Sequence, residues 1–424
     1  MDRRTVRIGL LGFGTIGSSV YRLIEKEHDQ ILEGTGVDLQ VARVLEVDAN
    51  KIPADAPSGL FTREFSDIVD DPTIDVVVEV IGGTTAAFDF LDAAMRNGKD
   101  VVTANKQLIA SRGEALFTLA RDQKRHLRFE ASVAGAIPII KVMRESMIAA
   151  GLHTVYGIVN GTTNYILTRM FQEEGDYVEI LLKAQELGYA EADPTADVGG
   201  ADAAAKMAIL ASIAFHSRVT LNDVAFTGIQ NVTLADVRYA KELGFAVKLI
   251  GAARLVDDRV SVRVFPALLP MSHPLAAISG SNNAVFLQGD AIGEIMLMGP
   301  GAGGVPTSTA VVSDIVSIAN TKDVGFLQSC SCYRSLSFYP ADEMESAFFI
   351  KVNVADEAGV LAQISSIFGE HGVSIASMLQ KGRGDEAELV IITHPTKEKH
   401  FFAAIAEAKG LSCCKRDPMT LRVL

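Results

Sequence analysis

The stretch Val6-Arg7-Ile8-Gly9-Leu10-Leu11-Gly12-Phe13-Gly14-Thr15-Ile16-Gly17 decides how the first part of this chain folds. A short apolar run, Val6 to Leu11, ends in a glycine, and a helix pattern from Gly17 to Glu27 follows. The glycines fall as G-x-G-x-x-G, and each has a physical task. Gly12 permits a tight turn, Gly14 lets the backbone approach a pyrophosphate, and Gly17 permits close packing of helix on strand. Phe13, Thr15 and Ile16 complete the loop, and amides at a helix N-terminus favour phosphate charge. The competing reading is an ordinary glycine turn. The position between a first strand and a first helix supports dinucleotide binding, so NAD or NADP is the expected cofactor.

Outward from this loop the βαβ rhythm continues. Leu39 to Val47 reads as a strand, with His28–Asp38 expected as the loop leading into it. Ile74 to Ile81 is a continuous β-branched run, as in a parallel strand covered on both faces. Ala87 to Asn97 is a helix pattern stopped at Gly98, and Asp100 to Thr103 is another short strand. The expected first domain, residues 1–134, is a doubly wound parallel α/β sheet. Residues of about 300–325 complete it, where Gly299–Gly304 leads into a helix, Ser308–Ala319. Residues 135–299 read as an α+β region: helices at Ile139–Ala150, Tyr165–Glu174, Val178–Leu187 and Ala201–Phe215 alternate with strand-like runs. Residues 326–345 read as a linker, and residues 346–424 as a separate ferredoxin-like βαββαβ unit.

Whole-chain composition narrows the function. The 424 residues are 48% hydrophobic and 21% charged, which suits a globular chain of several domains. A net charge of -13 argues against a broad nucleic-acid surface. No run approaches the ~18 apolar residues of a membrane span, and MDRRTVRIGLLGFG reads as a strand rather than a signal peptide. The four cysteines, Cys330, Cys332, Cys413 and Cys414, all lie late and make no disulfide framework, so the cytoplasm is the default compartment. No cysteine precedes Cys330, which argues against a thiol nucleophile beside a nicotinamide, and no His/Cys cluster points to catalytic zinc.

Several polar clusters stand in apolar surroundings. Glu46 or Asp48, at the end of the second strand, can accept a hydrogen bond from a ribose hydroxyl and repel a 2′-phosphate, which favours NAD; either is otherwise a solvated strand-end charge. Thr103-Ala104-Asn105-Lys106 follows a strand at the sheet's carboxyl edge, where ligands sit in open α/β folds. Glu130 lies in a small-residue loop, Ala131–Pro138, which is either a plain turn or a set of carbonyls around a hard monovalent cation. Asn160, Gly161 and Thr162 end a strand with hydrogen-bonding groups that serve a polar ligand or cap the next helix. In GYAEADPTADVGGADAAAK, Glu191, Asp193 and Asp197 fall in a Pro/Gly loop, while Asp202 and Lys206 share one face of a helix. A surface pair is the alternative. The rest of that helix is apolar, so the pair reads as sheltered, and burial brings a lysine towards general acid/base work.

The ordered motifs GFGTIG, TANK, FEASVAGAIP, VNGTTNYIL, LGYAEADPTADVGGADAAAK and MGPGAGGVPTSTAVVSD resemble homoserine dehydrogenase over about residues 5–320. DEAGVLAQISSIFGEHGVSI resembles an ACT domain, an amino-acid sensor, as in the monofunctional bacterial type. The resemblance implies a Rossmann-type domain, a catalytic and dimerisation domain and an ACT domain. It implies NAD(P)-dependent interconversion of L-homoserine and L-aspartate 4-semialdehyde. Lys206, Asp202 and Lys106 match its catalytic residues, and Lys106 lies between cofactor and substrate. Glu191 matches the residue holding the substrate ammonium, with Asp197 its acidic neighbour. Glu130 with the backbone of Val133, Gly135 and Ile137 matches a monovalent cation site, and Gly301 and Gly303 a loop closing over the cofactor. A homodimer or homotetramer and an amino-acid effector, threonine, are further expectations. Two departures stand out. Val47 replaces an arginine suited to a 2′-phosphate, and Ala358 replaces the proline of the D-x-P-G loop, while Gly359 is kept. The rival readings are a nicotinamide enzyme acting on the C–N bond of another amino acid, and a non-catalytic sensor of dinucleotide and amino acid.

Overall fold

The computed structural model describes residues 4–321, 332–382 and 387–424. Cys330 and the first part of the expected linker lie outside them. The chain divides into two compact units. One comprises Met1–Gly161, Asp202–Ala225 and Ser281–Ser335; the other comprises Thr162–Ala201, Phe226–Gly280 and Leu336–Leu424.

The first unit holds a parallel sheet of β1 (Arg4–Leu11), β2 (Val37–Leu45), β3 (Phe61–Thr62), β4 (Val76–Glu79), β5 (Asp100–Thr103) and β6 (Leu127–Arg128). Its order is β3-β2-β1-β4-β5-β6, the doubly wound arrangement, with the switch point between β1 and β4. Every residue of β4 and β5 is buried, which explains the β-branched residues Val76–Val78 and Val101–Thr103. The helix Gly304–Thr321 places Val311, Ile315 and Ile318 in the same core as Ile8, Leu10, Val20 and Ile24. Each such fully buried aliphatic contributes roughly 1.5–3 kcal/mol. A short antiparallel sheet of Leu152–Ile158, Asn282–Gly289 and Gly293–Pro300 completes the strands of this unit among the described residues.

Two local expectations are corrected. His28–Asp38 is not a loop: His28–Thr35 is helical and ends at Gly36, whose φ of 74° lets the chain reverse into β2. The helix expected from Ile139 to Ala150 covers only Ile139–Lys141 and then widens into a π turn, Val142–Ser146, because Met147 N bonds to Val142 O.

In the second unit Phe245–Val256 and Arg259–Pro270 form a hairpin turned by Asp257 and Asp258, both left-handed. Met419–Val423 pairs in parallel with Arg259–Pro270 and antiparallel with Glu345–Val354, which pairs with Ala387–Thr393 and then Ile375–Lys381. With the helices Val360–Glu370 and Glu398–Lys409 this is the expected βαββαβ unit. The helix Leu234–Glu242, not expected from sequence, meets it through one buried and one half-buried polar pair. Lys351 Nζ lies 2.5 Å from Asp236 Oδ1, and Tyr239 donates to Glu388 at 2.5 Å. No helix among the described residues is long and apolar enough to cross a membrane.

Candidate active site

The glycine loop leaves β1 beneath β4. Gly12 has a φ of +98°, and a side chain at Gly17 would lie 2.0 Å from Gly12 O, so neither position accepts one. Gly14 faces open space. The helix Thr15–Lys26 has no side-chain cap and no acid in its first turn, so its leading amides are left for an anion. These features fit a dinucleotide pyrophosphate. Gly304 packs against Thr15 O and Ser19, which brings the Gly301–Gly303 loop beside the same helix start.

Glu46 is buried, and its carboxylate accepts from Phe13 N and from Asp48 N, both at 2.9 Å. It ties the glycine loop to the end of β2, and each oxygen keeps a lone pair for a ribose hydroxyl. Asp48 accepts from Asn50 N at 3.0 Å, and Val47 between them is 71% exposed.

Leu11, Glu79 and Thr103 are register partners at the carboxyl edge of the sheet. Glu79, missed in the sequence, organises that edge. Fully buried, it accepts from Thr103 Oγ1 at 2.5 Å, Ile81 N at 2.9 Å and Gly82 N at 3.0 Å. Its signal was an acid set directly after three valines and before Val80 and Ile81 in the run IDVVVEVI. Asn105 then caps the helix Lys106–Asp122 by accepting from Leu108 N at 3.0 Å, and it donates to Gly83 O at 2.6 Å. Lys106 is thereby fixed at the first helical position.

From there Lys106 Nζ reaches Asp202 Oδ1 at 2.7 Å. Lys206 Nζ lies 2.8 Å from Asp202 Oδ2, and Asn160 Nδ2 donates to the same oxygen at 2.8 Å. Lys206 also donates to Val159 O at 2.7 Å. Asp202 and Lys206 are buried in the helix Ala201–Ala214, whose other faces are almost wholly apolar. Burial pushes the Asp202 carboxyl up, but Lys206 and Lys106 together outweigh it and hold the group well below the usual carboxylate range. Two lysines on one anchored carboxylate, at the ligand edge of a dinucleotide fold, can move a proton: a neutral amine accepts it from a bound hydroxyl, and an ammonium returns it. Gly161 follows Asn160 and cannot carry a side chain, because Ser281 O would lie 2.7 Å from it.

Glu130 is buried. Its oxygens accept from Ile140 N at 2.8 Å and Lys141 N at 2.7 Å, and its own N–H donates to Asp314 Oδ2 at 2.8 Å. Burial, and then the neighbouring charge of Asp314, push Glu130 up to about 7. Burial does the same to Asp314, also to about 7. Ala134 and Gly135 are both left-handed, with φ of 58° and 56°, which folds the Val133–Ile137 backbone back on itself. Gly135 packs against Pro300 O and the Gly301 carbonyl, leaving no room for a side chain. Buried carboxyls beside a tight carbonyl-bearing loop suit a monovalent cation. No group of three or more acidic, histidine or cysteine side chains placed to hold a metal ion occurs among the described residues.

The remaining candidates belong to the second unit. Glu191 is exposed in the loop after the helix Tyr177–Glu186, with its carbonyl accepting from Gln185 Nε2 at 3.0 Å. Asp197 lies in a short helix, Thr195–Val198, rather than in open loop. Thr162 Oγ1 donates to Tyr189 O at 2.5 Å.

Residues 12–130 match the family model of the homoserine dehydrogenase NAD-binding domain, residues 138–316 that of homoserine dehydrogenase, and residues 348–412 that of the ACT domain. The chain is 42% identical to homoserine dehydrogenase of Bacillus subtilis, over 99% of this chain and 98% of that protein. It is 42% identical to that of Corynebacterium glutamicum, over 99% and 95%. A solved homoserine dehydrogenase from Thiobacillus denitrificans superimposes with a TM-score of 0.95 at 36% identity, covering 100% of this chain and 99% of that one. With a nicotinamide-dinucleotide fold joined to an ACT unit, this chain belongs to the homoserine dehydrogenase family, NAD(P)-dependent oxidoreductases acting on a CH–OH group.

Proposed function

We infer that this chain interconverts L-homoserine and L-aspartate 4-semialdehyde. The observation that carries the reading is the carboxylate of Asp202 held by both Lys106 and Lys206. A bound nicotinamide dinucleotide would supply hydride transfer at the substrate's hydroxyl-bearing carbon. The chain's own residues do the rest. Lys206 or Lys106 receives the alcohol proton during oxidation, and in reduction its ammonium protonates the developing alkoxide. Asp202 orients both lysines. Glu191 takes the substrate ammonium, with Asp197 its acidic neighbour, and Asn160, Gly161 and Thr162 bind the substrate's polar groups.

The leading amides of Thr15–Lys26, with Gly12, Phe13, Gly14, Thr15, Ile16 and Gly17, hold the pyrophosphate. Glu46 accepts from the ribose, and Thr103, Lys106, Gly301 and Gly303 border the nicotinamide end. NAD is favoured over NADP, because Val47 offers no charge to a 2′-phosphate. Glu130 and the carbonyls of Val133, Gly135 and Ile137 would hold sodium or potassium. The enzyme works in the cytoplasm as a homodimer or homotetramer, and threonine acts at the ACT domain. Residues 1–134 with 300–325, 135–299, 326–345 and 346–424 serve as nucleotide domain, catalytic domain, linker and regulatory domain.

The test is absorbance at the reduced-nicotinamide band with L-homoserine and NAD or NADP, in sodium or potassium buffer, with and without threonine. Turnover supports the reading. No turnover with either cofactor overturns it.

A further inference from the structure

Lys248 is a buried cation that the proton-transfer scheme does not use. It lies mid-strand in Phe245–Val256 and is 4% exposed. Its Nζ donates to Asn164 Oδ1 at 3.0 Å and to Ile278 O at 2.5 Å, and Asn164 Nδ2 donates to the same carbonyl at 3.3 Å. No carboxylate pairs with it among the described residues. An apolar residue of similar length would be cheaper to bury than an ammonium without a counter-ion, so the group has to serve something other than stability.

Its partner shows what that is. Asn164 stands in the first turn of the helix Gly161–Glu173, two residues after Thr162. Thr162 Oγ1 donates to Tyr189 O, and the rings of Tyr165 and Tyr189 pack tilted at 34° with centroids 4.8 Å apart. Tyr189 is two residues before Glu191. The loop carrying Glu191 is therefore hung from a helical turn that Lys248 pins against Ile278, all within one compact unit.

We propose that Lys248 is a positioning residue for substrate: by fixing Asn164 and the first turn of the Gly161–Glu173 helix, it sets where Glu191 meets the substrate ammonium. The proposal rests on the reading that Glu191 is the ammonium ligand. Contacts kept equally in ground and transition state lower KM without changing kcat, and that defines the readout.

The experiment compares full-length wild type with Lys248→Met, Lys248→Gln, Glu191→Gln and the Lys248→Met/Glu191→Gln double variant. KM and kcat are measured for L-homoserine, KM for the dinucleotide, and the melting temperature for each protein. Lys248→Met raises the homoserine KM ~10-fold, with kcat within ~3-fold, dinucleotide KM unchanged and melting temperature equal or higher. Lys248→Gln, which keeps a donor for Asn164, recovers part of the KM. The double variant raises KM by less than the product of the single effects, because both act on one subsite. An unchanged homoserine KM in Lys248→Met overturns the proposal, as does a loss confined to melting temperature or a fully multiplicative double variant. A silent Glu191→Gln beside an affected Lys248→Met overturns the link to the ammonium and shows that the Glu191 assignment is what failed.

Discussion

Asp202 and Lys206, one helical turn apart, meet at 2.8 Å in the apolar interior of the Ala201–Ala214 helix, while the other Asp202 oxygen is taken by Lys106 at 2.7 Å from the carboxyl edge of the parallel sheet. Through this one carboxylate the helix and the sheet edge are joined within a single compact unit. Lys206→Ala removes one of the two groups proposed to accept the proton and leaves the glycine loop untouched. We expect kcat to fall ~100-fold or more with the dinucleotide KM within ~3-fold. Steady-state kinetics check this, and wild-type-like turnover would remove Lys206 from proton transfer.

The two members of this group that lie close in sequence were legible as an i,i+4 pair in an apolar helix, and the glycine loop was legible because its spacing is local. Lys106 reaching Asp202 is a long-range contact, so only the motif order of the family supplied it. Glu79 escaped notice because an acid at the end of a buried strand looks like a strand terminus; its role depends on Thr103, which arrives from a neighbouring strand. Lys248 escaped for the same reason, since its partners Asn164 and Ile278 lie far from it in the chain. The His28–Thr35 helix was missed because its eight residues bury no side chain and so leave no periodic apolar signal.

Val47 tests cofactor choice. It is 71% exposed two residues past the end of β2, next to a glutamate that holds the glycine loop. Val47→Arg adds a guanidinium suited to a 2′-phosphate at no packing cost. The ratio of kcat/KM for NADP over NAD should rise ~10-fold or more, with the melting temperature little changed. An unmoved ratio would mean that the ribose lies elsewhere.

Glu130→Gln tests the cation site. Glutamine keeps one acceptor for the amides of Ile140 and Lys141 but removes the negative charge. Stimulation by sodium or potassium should be lost, and turnover should settle near the salt-free wild-type rate. Activity is titrated against potassium chloride, with choline chloride holding ionic strength constant. A wild-type enzyme indifferent to both cations would dispose of the site.

The buried ammonium of Lys248 also predicts how stability varies with pH. Burial lowers its pKa from 10.5 to about 8. Between those values the unfolded chain binds more protons than the folded one, so this group's contribution makes stability rise with pH. Below about pH 8 its penalty is constant. Lys248→Met should therefore unfold at a higher temperature than wild type at pH 7, by up to about 3 kcal/mol in stability. Lost hydrogen bonds to Asn164 and Ile278 offset part of that. The gap should narrow steadily from pH 8 to pH 10.5 in thermal melts, and a constant gap would mean that Lys248 stays charged throughout.

Lys351 and Asp236 make the last prediction, about communication with the ACT unit. Lys351 lies on its strand Glu345–Val354, and Asp236 caps the helix Leu234–Glu242 by accepting from Thr233 N and Oγ1. Their contact at 2.5 Å is buried on both sides. Asp236 keeps its capping bonds when Lys351 is replaced, so the helix survives, but the charge that ties it to the ACT strand is gone. An effector at the Asp356–Gly359 loop can alter turnover only if a shift of the ACT strands is felt by the catalytic elements, and this ion pair ties one ACT strand to a helix of the compact unit that also carries Glu191. Lys351→Met should leave turnover without effector within ~3-fold of wild type and weaken the proposed inhibition by threonine ~10-fold. Inhibition curves at fixed homoserine and dinucleotide measure both. Equal curves for the two proteins would show that the effector signal travels without this pair, through Tyr239 and Glu388 or through the paired strands themselves.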